Sequence, residues 1–178
     1  IKNFLAKYPR TMIENISKWL PGEVLPRIFI QEEVYSLKIL VTAIFVLLDL
    51  LKKCLDISEG HEEIYKCVEI LPIKDAVPEK FLSKICQDEC LQYDSLTLGE
   101  LLRRQIKNLI TVKHEYKLAM DLWLAMTGLM YNNSDKLLKL GKTGGNGWIE
   151  LNHLCFQVDD PQAKLLSLKV WRILIYCI

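Results

Sequence analysis

The chain has 178 residues, enough for one compact domain or for roughly four helical hairpins at the ~34–47 residues per repeat of the common helical arrays. Its 51% hydrophobic content excludes a disordered chain, and 23 Lys plus Arg against 22 Asp plus Glu leave a net charge of +1 that neither favours nor opposes a nucleic-acid partner. The distribution of charge says more: acids cluster around Glu59–Glu63 and between Cys86 and Asp94, whereas Arg103–Lys117 carries five basic residues and one acid, and Gln162–Ile178 carries Lys164, Lys169 and Arg172 and no acid.

Helical periodicity runs from Ile1 to Lys7 and again from Pro9 to Leu20, where Pro9 suits a first helical position and Met12, Ile13, Ile16, Trp19 and Leu20 share a face. Pro21-Gly22 is expected to end that helix. The apolar linker EVLPRIFIQ, with Pro26 inside, reads as a packed connection or a short helix. Glu32–Asp56 follows without Gly or Pro and reads as one long helix. At about 100° per residue, Tyr35, Lys38, Thr42, Asp49, Lys53 and Asp56 gather on a narrow stripe and nearly everything else is apolar. That is the pattern of an inner helix, buried on most sides in a stack of hairpins. It is no membrane span, because the charge-free run Ile39–Leu48 falls well short of the roughly 18–20 apolar residues that a bilayer core requires.

Gly60–Ile70 gives a short helix stopped by Pro72, and another is expected over Glu79–Cys86; residues 72–96 are otherwise weakly patterned. Thr97 and Glu100 have the T-x-x-E spacing of a capping box, opening a helix that carries Leu101, Leu102, Ile106, Leu109 and Ile110. Tyr116–Tyr131, with Leu118, Leu122, Trp123, Met126, Leu129 and Met130, completes a helical hairpin. A last hairpin pairs Trp148–Phe156 with a helix entered through Asp160-Pro161, a cap and a first helical position. This Asp-Pro entry with a basic residue soon after is like the HEAT repeat. On its wheel Leu166, Val170, Ile173, Leu174 and Cys177 form the expected buried face, leaving Lys164, Lys169 and Arg172 across an arc of roughly 140° whose only charges are positive.

Catalytic and metal chemistry find little footing. His61, His114 and His153 are isolated and are expected at the surface or at hairpin edges; no G-x-S-x-G or H-E-x-x-H is present, so an enzyme is not expected. Gly141-Lys142-Thr143 is not a phosphate loop, because Lys136 stands where the first Gly belongs and the preceding residues look helical. Cys86 and Cys90 form a C-x3-C pair with no second pair and no nearby His, so no zinc, and no other cofactor, is expected. The six Cys mostly fall in apolar helical patterns, as reduced structural residues of an intracellular protein do. The chain begins without Met and stops within an apolar periodic run, and neither end resembles a signal peptide. Residues 1–178 are accordingly expected to be a single segment cut at both ends from a longer array.

Lysines on the inner helices of a curved solenoid would line its concave side, where spaced positive charge can match a phosphate backbone without reading bases. A solubilising surface, or a protein partner with an acidic face, would use the same residues.

FLAKYPRTMIENISKWLPGEVLPRI, EEVYSLKILVTAIFVLLDLLKKCLD, PEKFLSKI, QIKNLITVK, AMDLWLAMTGLMY, LNHLCF and SLKVWRILIYCI, in this order along the whole chain, closely resemble the N-terminal helical-repeat domain of Rap-interacting factor one, budding-yeast type. Agreement is weakest over residues 57–75, 87–98 and 132–147. The resemblance implies an all-α, HEAT-like solenoid curved like a hook, from a nuclear, telomere-associated protein that restrains telomere lengthening, sets replication timing and protects DNA ends. It implies a DNA partner, duplex or single/double-strand junction, held through lysines of a concave channel. On this chain the lysine of YSLK is Lys38 and that of SLKVW is Lys169. A third family lysine falls on Gln162, and Lys164, two residues on, is its natural substitute. Binding of the telomeric Rap protein and of protein phosphatase type one is implied for regions outside this segment, and a homodimer is a further expected partner. The residues expected to bind DNA are therefore Lys38, Lys164, Lys169 and Arg172. The alternative is a HEAT-type scaffold for an acidic protein partner.

Overall fold

The computed structural model describes residues 15, 16, 18–30, 33–54, 58–85, 95–130 and 147–177, and everything below concerns these. Nine α-helices are defined among them: α1 Leu25–Ile30, α2 Val34–Cys54, α3 Ser58–Tyr65, α4 Ile73–Ala76, α5 Glu79–Ile85, α6 Leu98–Thr111, α7 Tyr116–Leu129, α8 Trp148–Gln157 and α9 Pro161–Cys177. There is no strand among the described residues; one isolated bridge joins Pro72 and Thr97. None of these helices is long and apolar enough to cross a membrane. The chain divides into two compact units, Ile1–Leu101 and Leu102–Ile178.

In the first unit, Pro21-Gly22 does not end a helix. Leu20–Val24 forms a π turn in which the Leu25 N–H donates to the Leu20 carbonyl, and α1 follows without a break. Pro21 is the second residue of this π turn, which follows directly on the helical residues Lys18 and Trp19. Gly22 is buried against the Pro78 ring, a Cβ there lying 3.8 Å from it. The packed alternative for EVLPRIFIQ holds: Leu25, Pro26 and Ile28 are buried, and α1 packs on α5.

The long helix is present as α2, yet it is not buried on most sides. Leu37, Val41, Ile44 and Leu48 form one buried stripe at i, i+4, i+7 and i+11, while Ile39 and Val46 are 54% and 56% exposed beside Tyr35, Lys38 and Thr42. Asp49, Lys53 and Asp56 fall outside the described side chains. A second π turn, Lys66–Ile70, extends α3 and stops where Leu71, preceding Pro72, turns extended at ψ 136°. His61, expected at the surface, is buried at 4% exposure, because α3 turns it to the same inner side as Ile64 and Val68. The weakly patterned stretch contains α4 and α5, tied back by the Ile73 N–H donating to the Leu96 carbonyl at 2.6 Å. The capping box forms as expected: the Thr97 N–H donates to Glu100 Oε2 at 2.8 Å, and the Glu100 N–H to Thr97 Oγ1 at 3.3 Å. The Glu69 carboxylate, an anion well placed at a helix N-terminus, lies against Gly99 in that first turn, so a Cβ there would push this side chain aside.

In the second unit, α7 is buried around most of its girth through Leu118, Ala119, Leu122, Trp123, Met126 and Leu129. His114 adopts φ 56° in the turn before α7, an exposed hairpin-edge position as expected. The Trp123 indole N–H donates to the Trp148 carbonyl at 2.5 Å, locking α7 to the start of α8, and α9 packs on both α7 and α8. The glycine-rich stretch around Gly141 lies outside the described residues, as do Cys86 and Cys90.

Candidate nucleic-acid interface

The cationic face of α9 is set by its buried face. Asp160 Oδ1 accepts from the N–H groups of Gln162 and Ala163 at 2.7 and 3.0 Å, capping the helix with Pro161 at its first position. Ala163, Ser167 and Val170 then face inward, at 0%, 0% and 5% exposure. Ser167 Oγ bonds to the main-chain oxygen of Asn152 at 2.9 Å and also to Asn152 Oδ1. Cys155 packs at the same seam, its thiol 3.7 Å from the Ala163 carbonyl; burial, then the nearby Asp160 charge, push that thiol up to about 11.

On the outer face Lys169 and Arg172 are exposed, three residues apart. Lys169 has no ion-pair partner among the described residues. Lys164 is only half-exposed, and its ammonium lies 3.5 Å from the Asp159 carboxylate, just outside the acid-free segment that the sequence marked. At ~1.5 Å rise per residue the three cations span about 12 Å of helix. Gln162 is exposed and adds no charge. The expected burial of Ile173 is not observed: it is 42% exposed, because the inner stripe is centred on Ala163, Ser167 and Val170, about 90° of the wheel away from it. Leu174 and Cys177 fall outside the described side chains. Leu165, Leu168 and Ile175 are exposed as well, at 52%, 53% and 68%, so aliphatic groups stand between the cations.

Lys38, in the first unit, is exposed on α2 and lines a groove of about 670 Å³ with Trp19, Tyr35, Ile39, Thr42 and Val46. The Thr42 hydroxyl donates back to the Lys38 carbonyl at 2.8 Å. Trp19, expected to share the buried face of Ile16 and Leu20, is 51% exposed, while those two are buried. A second cleft of about 550 Å³ adjoins, lined by Arg27, Lys80 and Lys84 around Phe81, with Ser36 and Ile39. The Lys80 ammonium sits 4.9 Å from the Phe81 ring centre and the Arg27 guanidinium 5.8 Å from it. Glu23 binds Lys80 at 2.7 Å and Arg27 at 3.7 Å, and the Lys80 hydrogen bond, more than the surrounding charges, holds its carboxyl below the usual range. Sequence reasoning missed this cluster. Arg27 and Lys84 lie on separate helices, and no local pattern links them.

Among the described residues no three His, Cys, Asp or Glu side chains gather to hold a metal ion. Each unit by itself carries cations beside exposed apolar side chains, on α9 in the second and around α2 in the first.

The family model described as Rap1-interacting factor 1 N terminal matches residues 1–178. The chain belongs to this family. It is 52% identical over 180 residues to the telomere length regulator protein RIF1 of Saccharomyces cerevisiae, covering all of this chain and 9% of that protein. Two solved structures of the Rif1 N-terminal domain from the same yeast, one in complex with DNA and one without, superpose with a TM-score of 0.78 at 51% identity, over 99% of this chain. This chain spans 16% and 17% of the length of those two longer chains. The all-α, helical-repeat solenoid class expected from the sequence is thus the fold class of this chain, and the resemblance seen in its sequence stretches is the family to which it belongs.

Proposed function

We propose that this chain is a non-enzymatic DNA-holding segment of a telomere regulator, gripping the phosphate backbone through Lys38, Lys164, Lys169 and Arg172 with little dependence on base sequence. The carrying observation is the outer face of α9, where Lys169 and Arg172 stand exposed one turn apart on a helix fixed by an N-cap and a buried polar seam. A yeast relative 51% identical to it has been solved with DNA, which supports the same ligand here. Cations at fixed spacing on a helix neutralise phosphates and release counterions, and they carry no base information. Lys164 contributes less than Lys169, since Asp159 already holds part of its charge. Residues 1–178 act as one segment of the family's N-terminal domain. In the whole protein this activity serves telomere length control, replication timing and DNA-end protection in the nucleus. The Rap protein and protein phosphatase type one are bound through regions outside this chain, and a second copy is a further partner.

Leu165, Leu168 and Ile175, exposed between the cations, favour a second reading, a scaffold for a protein with an acidic, partly apolar face. Salt dependence separates the two. Binding of a fluorescent duplex is measured against salt for the parent chain and for Lys38→Glu/Lys164→Glu/Lys169→Glu, with circular dichroism to confirm folding. The three contacts substituted in this variant account for up to about −2.7 of the parent's log-log slope, and the folded triple variant loses binding and most of that slope. Unchanged affinity in the folded variant refutes the DNA reading and leaves the scaffold.

A further inference from the structure

Phosphate contacts leave the exposed aromatic side chains of the first unit without a role. Trp19 and Tyr35, 51% and 74% exposed, stand on the same groove as Lys38. Ile39 lines both this groove and the cleft of Arg27, Lys80 and Lys84, so an aromatic floor and a cationic wall adjoin along α2. Glu23 occupies Arg27 and Lys80, while Lys84 has no ion pair among the described residues. Flat apolar rings joined at intervals to anions are the chemistry that such a surface accepts, and nucleic acid supplies both in one chain. In a duplex the ring faces are stacked on each other; only an unpaired strand offers them to a protein. An apolar helix laid in the groove would match its walls but would bring no anion to Lys84 in the adjoining cleft.

Resting on the DNA-binding reading above, we propose that the Trp19–Tyr35 groove stacks unpaired bases of a single-stranded DNA segment, while Lys38 and, across Ile39, Lys84 hold the phosphates that join them. Stacking is tolerant of base identity, because every base has a π face, so the site discriminates paired from unpaired DNA without reading sequence.

Three probes test this on the full chain: a duplex with an oligothymidine tail, the same duplex with an abasic tail, and the blunt duplex. Trp19→Ala/Tyr35→Ala is expected to weaken the thymidine-tailed duplex by roughly five- to hundred-fold and to leave the other two within about two-fold. Trp19→Phe/Tyr35→Phe keeps the rings and is expected to retain most of the parent affinity. An equal loss on all three probes overturns the proposal, since the aromatic pair would then act by shaping the fold. No loss on any probe also overturns it and assigns the groove to a protein partner. Blunt-duplex binding keeps the two readings apart: if the parent binds it with a salt slope and Lys169→Glu weakens it, yet thymidine and abasic tails behave alike, stacking alone fails; if the parent binds none of the probes, both readings fail.

Discussion

Ser167→Ala tests what fixes the azimuth of α9. Ser167 is fully buried, and its hydroxyl faces two acceptors on Asn152, the main-chain oxygen at 2.9 Å and Oδ1, while Asn152 Nδ2 is buried without a partner among the described residues. One hydroxyl hydrogen cannot serve both oxygens fully. Turning the amide lets Nδ2 donate to Ser167 Oγ and frees that hydrogen for the main-chain carbonyl. In either orientation the hydroxyl is the group that meets the buried amide at this seam. Its removal loses one net hydrogen bond, worth ~1 kcal/mol, and leaves a buried amide unpaired, for a total of about 1–3 kcal/mol. For a chain of this length that lowers Tm by roughly 2–12 °C. The assay is thermal and urea unfolding followed by circular dichroism, on Ser167→Ala, Asn152→Ala and the double variant. Since the two side chains share one bond, the double variant is expected to cost less than the sum of the singles by at least ~0.5 kcal/mol. A shift under about 1 °C in Ser167→Ala, or full additivity, would refute the seam as the determinant of the helix's orientation.

Three further outcomes follow from the same geometry. Asp160→Ala removes the acceptor of two N–H groups at the start of α9 and is expected to cost about 0.5–2 kcal/mol in urea unfolding, with Asp160→Asn recovering most of it. Lys169→Glu should reduce the salt slope of duplex binding by roughly 1, and Lys164→Glu by clearly less, because Asp159 already sits 3.5 Å from the Lys164 ammonium; equal slopes would show that the pair breaks on binding. Cys155, whose thiol burial raises to about 11, should resist a thiol-specific reagent in the native chain at mildly alkaline pH and react on unfolding. Its folded pKa lies above the ordinary value of 9.0, so its contribution to stability is complete below pH 9 and is lost as pH rises towards 11.

Local chemistry was legible where it is decided locally. Thr97 with Glu100, and Asp160 with Pro161, each place a helix start by satisfying backbone N–H groups within four residues, and both starts are where the sequence put them. Pro21-Gly22 misled because the chain passes through them in a π turn, closed by the i→i+5 bond from the Leu25 N–H to the Leu20 carbonyl, and runs on as helix. The burial of His61 and the exposure of Trp19 depend on which neighbours the helices meet, and periodicity carries no such information. That Lys38, Lys169 and Arg172 stand exposed on α2 and α9 was readable from helical spacing, while their contact with DNA is what we propose. The Arg27–Lys80–Lys84 cleft was not readable, since it forms only when α1 packs on α5.

The three cations of α9 differ for a reason that its buried stripe supplies. Taking Lys164 as zero, about 100° per residue places Ala163, Ser167 and Val170 near 240–300° and Arg172 and Lys169 near 80° and 140°. Arg172 thus stands nearly opposite the packed side, with Lys169 beside it, and both project into solvent. Lys164 lies at the boundary, which is why it is half-exposed and within reach of Asp159 at the helix entrance. α2 repeats the arrangement: its stripe of Leu37, Val41, Ile44 and Leu48 leaves Lys38 at the boundary and Tyr35, Ile39 and Val46 outermost. A slip of either helix by one residue would swing its cations by about 100°, taking Lys169 towards the edge of the packed side. On α9 such a slip would also break the Asp160 cap and the Ser167 bond, so the contacts that stabilise the helix are the ones that aim its charge.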